Sequence, residues 1–237
     1  MGLNLWKKWK NSRDEKQLAK YQALDAELGT PTKETLNERA KNAADKGYWK
    51  TAIAAVDEGA DVNAPLKWKQ FFPSTQHGSF EFEKNYSLAF AAVEQDNAAA
   101  LDALLKRGAN RDFVGTSRVN EKENSYSLPE YAALQGAKKS LNTLLASGDF
   151  KQEALDGALV IAAGEKTYIG MAEALLAKGA QASDKALRAA ELRNNKPAIL
   201  LLKGALKKSF DAAQAPAAPQ ATPAPAIPAP QATPKTL

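Results

Sequence analysis

Small and large apolar residues recur in a fixed order along the middle of the chain. An Ala-Ala pair is followed by a glycine, and in four of the five copies a leucine pair lies between them. The interval from the second alanine to the glycine is 15, 16, 15, 16 and 14 residues in five successive copies. Self-similarity at a nearly constant interval predicts about five structural repeats within residues 35–211. The alanine pairs begin at Ala43, Ala91, Ala132, Ala162 and Ala189, and the glycines are Gly59, Gly108, Gly148, Gly179 and Gly204.

Each copy predicts two helices. The alanine pair favours a short first helix that a neighbouring helix can approach closely. Leu101, Leu104 and Leu105 lie at positions i, i+3 and i+4, which predicts an amphipathic second helix. The glycine is expected to end that helix in a left-handed conformation, where a Cβ would be unfavourable. One such unit cannot bury its apolar side alone, so we predict an all-α helical repeat solenoid with extended β-hairpin loops between its repeats.

The repeats resemble those of the ankyrin family. Gly59-Ala60-Asp61-Val62-Asn63 matches the family's Gly-Ala-Asp-x-Asn ending, and residues 104–110 match it well. Ser127-Leu128-Pro129-Glu130 is the nearest counterpart of the family's Thr-Pro-Leu-His opening, although it lacks the histidine. The glycines step by 49, 40, 31 and 25 residues, where about 33 is usual. The resemblance covers roughly residues 36–208 and implies a rigid concave scaffold that binds a protein partner through its loops and first helices.

An insertion between the first two repeats alternates apolar and polar residues. Its arms, 66–72 and 79–83, flank a turn-like segment that contains His77, and this pattern predicts a β-hairpin. One face would carry Trp68, Phe80 and Phe82. The other would carry lysine and glutamate residues whose pairing across the strands helps to set the register, namely Lys67, Lys69, Glu81 and Glu83.

The aromatic residues of this insertion are the predicted partner-binding set, because aromatic side chains are favoured anchors of protein interfaces. The set comprises Trp68, Phe71, Phe72, Phe80 and Phe82, with Tyr86 at the base of the hairpin. Alternatively, these rings fold back onto the helices as a local core, and the residues leave both interpretations open. A second insertion, Phe113 to Tyr126, is polar, and its tip is expected to be a solvated loop on the same side of the molecule.

The N-terminal segment, residues 1–34, is predicted to be a basic helical arm. Residues 15–30 are expected to cover the open end of the repeats. The first twelve residues fit two interpretations: a helix that helps to cover the open end of the repeats, or contact with a membrane surface or a partner. The contact would use Trp6 and Trp9, with Lys7, Lys8 and Lys10 beside them. Each basic residue would contribute at most about 1 kcal/mol of attraction to anionic lipid, so the membrane contact is expected to be weak.

Composition lowers the prospect of catalysis. The chain has no cysteine and one histidine, which excludes thiolate metal sites, two-histidine metal sites and cysteine nucleophiles. We therefore expect no enzyme, cofactor or metal. Residues 1–20 carry +4 of the net charge of +5, so the rest of the chain is nearly neutral and no nucleic-acid partner is predicted.

The sequence opening and the tail complete the prediction. No apolar run could span a membrane, and the opening residues lack the pattern of a secretory signal, so we expect a cytoplasmic protein, with secretion as an effector left open. Residues 212–237 are almost entirely Ala, Pro, Gln and Thr and predict a disordered tail that is either a spacer or a docking site for a proline-reading domain. The function predicted is a non-catalytic protein-interaction scaffold; the alternative is a peripheral membrane adaptor anchored by the N-terminal helix. The oligomeric state is left open.

Overall fold

The computed structural model of the chain describes residues 2–72, 80–119 and 122–214, which are mostly α-helical and include one small antiparallel sheet. The helices are α1 (Gly2–Leu28), α2 (Lys33–Asp45), α3 (Trp49–Asp57), α4 (Leu88–Glu94), α5 (Ala98–Lys106), α6 (Leu128–Gln135), α7 (Lys138–Ser147), α8 (Gln152–Gly164), α9 (Ile169–Ala177), α10 (Asp184–Leu192) and α11 (Lys196–Gln214). The strands are β1 (Leu66–Phe72), β2 (Phe80–Tyr86), β3 (Gly115–Val119) and β4 (Lys122–Tyr126). A short 3₁₀ helix, Lys166–Tyr168, precedes α9.

Helices α2 to α11 form five successive pairs, which we call the helical body. Within each pair the two helices pack together. The first helices, α2, α4, α6, α8 and α10, also pack in that order against one another, and the second helices do the same. Each pair therefore buries apolar surface against its neighbours as well as within itself.

The interior of the helical body follows the repeated alanines and leucines. Ala92 on α4 and Leu104 on α5 are fully buried, as are their counterparts in the next two pairs. Gly59, Gly108 and Gly179 end second helices with φ angles of 119°, 85° and 109°. After Gly108, the amide of Ala109 donates to the carbonyl of Leu104 at 3.0 Å, which satisfies one of the last free carbonyls of α5. The predicted left-handed endings are confirmed at these three glycines.

The fifth pair departs from the prediction. Gly204 lies inside α11 instead of ending it, because Ala, Leu and Lys residues that favour helix continue after it. Leu200 is 73% exposed, whereas Leu202 is fully buried. Leu202 follows Ala190 by twelve residues, the interval that also separates Leu104 from Ala92, so Leu202 is the true counterpart of the earlier buried leucines. Pro197 lies in the first turn of α11, where its missing N–H needs no partner.

Ser127-Leu128-Pro129-Glu130 has a local role at the start of α6. The Ser127 hydroxyl accepts from the Glu130 amide, and the Glu130 carboxylate accepts from the Ser127 amide at 2.8 Å. This reciprocal capping box, with Pro129 in the first turn, satisfies backbone donors that the helix itself leaves unpaired.

Helix α1 lies against α3. Asp14 of α1 is only 5% exposed, and its carboxylate accepts from the amides of Lys50 and Thr51 at 2.9 and 3.0 Å. It therefore caps the N-terminus of α3 from a different helix. Asp25, further along α1, accepts two hydrogen bonds of 2.7 Å from the buried Arg39 guanidinium of α2. These contacts join α1 to the first helix pair.

The two insertions form a single sheet, in the order β1-β2-β3-β4. β1 pairs with β2 along all seven residues, with Leu66 opposite Tyr86. The solvated loop predicted for the tip of the second insertion falls on residues 120–121, which lie outside the described residues. Residues 115–119 and 122–126 on either side of it are strands, which the sequence analysis did not predict. β2 offers a free strand edge, so the backbone of β3 gains hydrogen-bond partners there. Ser117 of β3 is buried, whereas Arg118 and Val119 are exposed. The described part of the chain is therefore mostly helical but not all-α.

Candidate functional site

An open groove of about 850 Å³ lies between the sheet and the first two helix pairs. Its lining comes from β1, β2, α4, Lys10 of α1, the last residue of α2, and the turns that follow α2 and α4. The lining combines aromatic side chains with charges of both signs. The residues are Lys10, Asp45, Lys46, Gly47, Trp68, Phe82, Lys84, Ala91, Glu94, Gln95, Asp96 and Asn97.

Strand register decides which residues face the groove. Directly opposed residues of antiparallel strands share a face. Trp68 is opposite Lys84, and Phe82 is opposite Val119, which places these positions on one face that we call the Trp68 face. Lys69 is opposite Glu83, on the other side, which we call the Lys69 face. The predicted separation of Trp68 and Phe82 from Lys69 and Glu83 therefore matches the register.

Trp68 forms a wall of the groove and is half-buried against the helical body. Its indole N–H donates to the Asp45 carboxylate at the end of α2 at 2.6 Å, and the Lys41 ammonium lies 5.7 Å from its ring centroid. Partial burial raises the pKa of Asp45, while the hydrogen bond from Trp68 opposes that rise. Trp68 thus holds β1 against α2, and its polar atom is used inside the molecule.

Lys84 holds β2 against α4. Its ammonium forms an ion pair with the Glu94 carboxylate and lies 5.4 Å from the ring centroid of Phe82. Lys84 and Phe82 are both half-buried and line the groove. A cation beside an aromatic ring gains from the ring's quadrupole, so Lys84 supports the position of Phe82 as well as that of the strand.

The base of the sheet is an aromatic cluster. The Tyr86 ring lies 4.8 Å from both Phe90 and Tyr131, and Phe113 and Tyr126 extend the cluster. Burial is the main cause that raises the pKa of Tyr131, and hydrogen bonds to Tyr86 and Glu94 act in the same direction. Tyr86 is only 2% exposed. The structure therefore places this member of the predicted partner-binding set in the core.

The other predicted contact residues are only partly described. Phe71 and Phe72 lie on β1 and Phe80 on β2, with Phe72 opposite Phe80, and their side chains lie outside the described residues. The same holds for the side chains of four residues on α1, namely Trp6, Lys7, Lys8 and Trp9. His77 and residues 215–237 also lie outside the described part of the chain.

Lys10, predicted as a membrane-contact residue, lines the groove. A Cβ at Gly47 would clash with the Lys10 ammonium, so the lysine side chain occupies the space that glycine leaves in the turn after α2. Gln95 stands beside it, accepting from the Trp49 indole N–H at 3.0 Å and donating to the Ala44 carbonyl at 2.7 Å. The side chain of Lys10 therefore belongs to the groove floor.

An ion-pair cluster on the Lys69 face joins the two hairpins. Glu83 of β2 forms ion pairs with Lys69 of β1 and Arg118 of β3. These two cations lower the pKa of Glu83 to about 2. A single carboxylate thereby connects strands that come from two separate insertions. The Lys69–Glu83 pair is the predicted cross-strand pair.

Sequence reasoning missed Lys84, Glu94 and Asp45, which hold the sheet over the groove. Glu94 and Asp45 end first helices of consecutive pairs, and this equivalent placement is the signal that could have found them. Arg118 was placed in a loop, so its pairing with Glu83 could not be predicted.

The described residues show neither a metal-binding cluster nor a membrane-spanning helix. No group of three or more His, Cys, Asp or Glu side chains among them is placed to hold a metal ion. None of their helices is long and apolar enough to cross a membrane. No protein-family model matches the chain, and a search of curated proteins finds no significant match.

Proposed function

We propose that this chain is a non-catalytic protein-interaction scaffold with an ankyrin-like solenoid architecture. The architecture is supported by five consecutive helix pairs, by the buried alanines of their first helices, and by hairpins that connect the first three pairs. The left-handed glycines after second helices add support, since the same feature carries the resemblance in the sequence.

The groove is the observation that carries the functional proposal. At about 850 Å³ it is large enough to accept several side chains of a partner. Trp68 and Phe82 offer apolar contact, while Lys46 and Glu94 add charges at its margin. Aromatic residues surrounded by polar ones are typical of the centre and rim of protein interfaces.

The burial of Tyr86 guides which residues we propose as the contact set. Tyr86 is core, so we assign the contact to Phe82, Lys46 and the ring of Trp68. Phe71, Phe72 and Phe80 remain predictions from the sequence. The polar contacts from Trp68 to Asp45 and from Lys84 to Glu94 fix the groove before binding, which reduces the ordering cost of association.

The proposal is tested by comparing what three forms of the full chain capture from native lysate, measured by quantitative mass spectrometry. The groove variant is Phe82→Ala with Lys46→Glu. The matched control is Lys106→Glu with Lys139→Glu, which changes two exposed residues on second helices away from the groove. Circular dichroism checks that all three forms retain their helix content.

We expect the wild type and the control to enrich the same proteins and the groove variant to lose them. Capture that is equal for all three forms, or no enrichment by the wild type, would contradict the scaffold proposal. The alternative, a peripheral membrane adaptor, is then tested by flotation with anionic vesicles. It gains support only if the wild type floats with the vesicles and the double variant Trp6→Ala, Trp9→Ala does not. Helix α1 is continuous from Gly2, so both tryptophans are on a formed helix.

A further inference from the structure

The outer edge of β1 is unpaired within the described residues, since β1 is the first strand of the sheet and hydrogen bonds only to β2. In an antiparallel pair, alternate residues direct their N–H and C=O groups away from the partner strand. A seven-residue edge therefore presents a row of backbone donors and acceptors that another extended chain can use. The opposite edge, β4, has five residues.

There is room for a strand beside this edge. A cavity of about 350 Å³ lies between the start of β1 and the exposed side of α2. Leu66 and Lys67 line it from the strand. Glu34, Asn37, Glu38 and Lys41 line it from the helix, so the carboxylates of this wall belong to α2 and the lysine of the strand faces them across the cavity. No described element fills the space next to the first residues of β1.

The charges on the Lys69 face indicate which kind of extended chain could pair with the free edge of β1. Across the sheet the sign alternates from strand to strand, with Lys69 on β1, Glu83 on β2, Arg118 on β3 and Glu123 on β4. Lys67 has the same orientation as Lys69, is exposed, and lies opposite the uncharged Asn85. A strand placed next to β1 would continue the alternation if it carried acidic residues at every second position.

We propose that β1 binds an extended segment of a protein partner as a fifth strand, with carboxylates at alternate positions facing Lys67 and Lys69. This inference rests on the proposed scaffold function and names the chemistry of its partner. Lysines on an edge strand also discourage pairing between copies of the same chain, because like charges would then meet. An acidic segment turns that repulsion into attraction, which gives the edge selectivity.

The test starts with selection of random peptides of about ten residues, slightly longer than β1, on the immobilised full chain. Enriched peptides are synthesised and their affinity is measured by fluorescence anisotropy with the wild type and with Lys67→Glu. Lys67 faces Asn85, so its reversal creates no repulsion with its partner on β2. Glu123→Lys, which reverses a charge on the opposite edge strand, is the matched control, and hydrogen exchange monitors the amides of β1.

We expect acidic residues at every second position of the enriched peptides and slower exchange of β1 amides on binding. Lys67→Glu should weaken binding roughly tenfold, and a peptide with lysine in place of its acidic residues should regain affinity for this variant. Glu123→Lys should leave affinity nearly unchanged. Failure to enrich any peptide, acidic residues at helical spacing, or insensitivity to Lys67→Glu would overturn the inference. Peptides that lose affinity with Phe82→Ala but not with Lys67→Glu would leave the groove proposal standing and remove the edge proposal.

Discussion

The helical body and the sheet are held together by different interactions. In the helical body, fully buried alanines and leucines such as Ala133 and Leu144 pack against one another along five pairs. The sheet packs its apolar side chains against the helical body mainly at its base, where Tyr86 meets Phe90, and its far side carries the ion pairs around Glu83. Apolar burial involves no titrating group and is not screened by salt, whereas exposed ion pairs weaken when a partner is neutralised or when salt screens the charges. The two regions should therefore fail under different conditions.

This difference matters for the groove, because the helical body forms one of its walls and the sheet forms the other. The helical wall is fixed by the core. The sheet wall is fixed by the Trp68–Asp45 hydrogen bond and the Lys84–Glu94 ion pair, together with the aromatic base. Changes to the sheet should alter the groove while leaving the helix pairs folded. The following predictions separate the two regions, from the largest expected effect to the smallest.

The largest effect is expected in the helical body. Leu144→Ala removes a fully buried side chain from α7 and should lower the free energy of unfolding by about 2–5 kcal/mol, measured by urea denaturation. Leu134→Ala on the neighbouring α6 is the control, because Leu134 is largely exposed and its loss should change stability by less than about 0.5 kcal/mol. Equal effects of the two variants would remove Leu144 from the core.

The second largest effect is expected from removing the buried charge of Arg39 in the helical body. Arg39 is almost completely buried, and its guanidinium binds Asp25 of α1 in two places and Glu58 at 3.1 Å. Arg39→Ala should destabilise the chain by about 1–3 kcal/mol and loosen α1, which hydrogen exchange of the α1 amides would detect. Arg107→Ala removes a similar but exposed contact with Asp57, so a smaller loss is expected. A loss for Arg39→Ala no greater than for the control would show that the buried contact contributes little.

The junction between the two regions can be disturbed at Gly115. A Cβ there would lie 2.7 Å from ring carbons of Phe90 and Tyr86, so the sheet can approach the aromatic cluster only with glycine at this position. Gly115→Ala should cost about 1–3 kcal/mol and change the near-ultraviolet circular dichroism of the cluster. Gly204→Ala, inside α11 with no atom within 4 Å of the new Cβ, should be neutral or stabilise by up to about 1 kcal/mol. Unchanged stability and dichroism for Gly115→Ala would mean that the rings are not tightly held.

The smallest effect is expected from acid on the sheet. Lys69 and Arg118 lower the pKa of Glu83 from an ordinary value of 4.5 to about 2. A carboxylate with a lowered pKa stabilises the fold fully above its ordinary pKa, and this contribution is lost as the pH falls from about 4.5 through 2. Pairing of β2 with β1 and β3 should weaken in that range, and Glu83→Gln should remove this part of the acid dependence. A carboxyl pKa near 4.5 for Glu83, measured by nuclear magnetic resonance, would contradict the role of the cluster.

Sequence reasoning succeeded where one local pattern decides a local structure. The helix pairs, the glycines after α3, α5 and α9, and the first hairpin with its Lys69–Glu83 pair all follow from residue spacing. It failed at Gly204, where favourable helix formers outweighed the expected stop, and it did not predict that the second insertion joins the sheet. Residues 115–119 and 122–126 have few apolar side chains and form strands because β2 lies beside β3. The same pattern left Trp68 and Tyr86 undecided between contact and core, and the structure buries Tyr86 while leaving Trp68 half-exposed.

The sequence by itself determined which segments become helices and which faces of them are buried, because helix formation and burial depend on neighbours three or four residues away. Only the tertiary structure decided that two insertions nearly 30 residues apart share a sheet, that Asp14 caps a helix other than its own, and that Lys10 lines the groove. These contacts join residues distant in the chain, and their partners are set by the stacking of whole helix pairs. The groove is therefore a property of the assembled pairs and sheet, and no single segment of the sequence contains it.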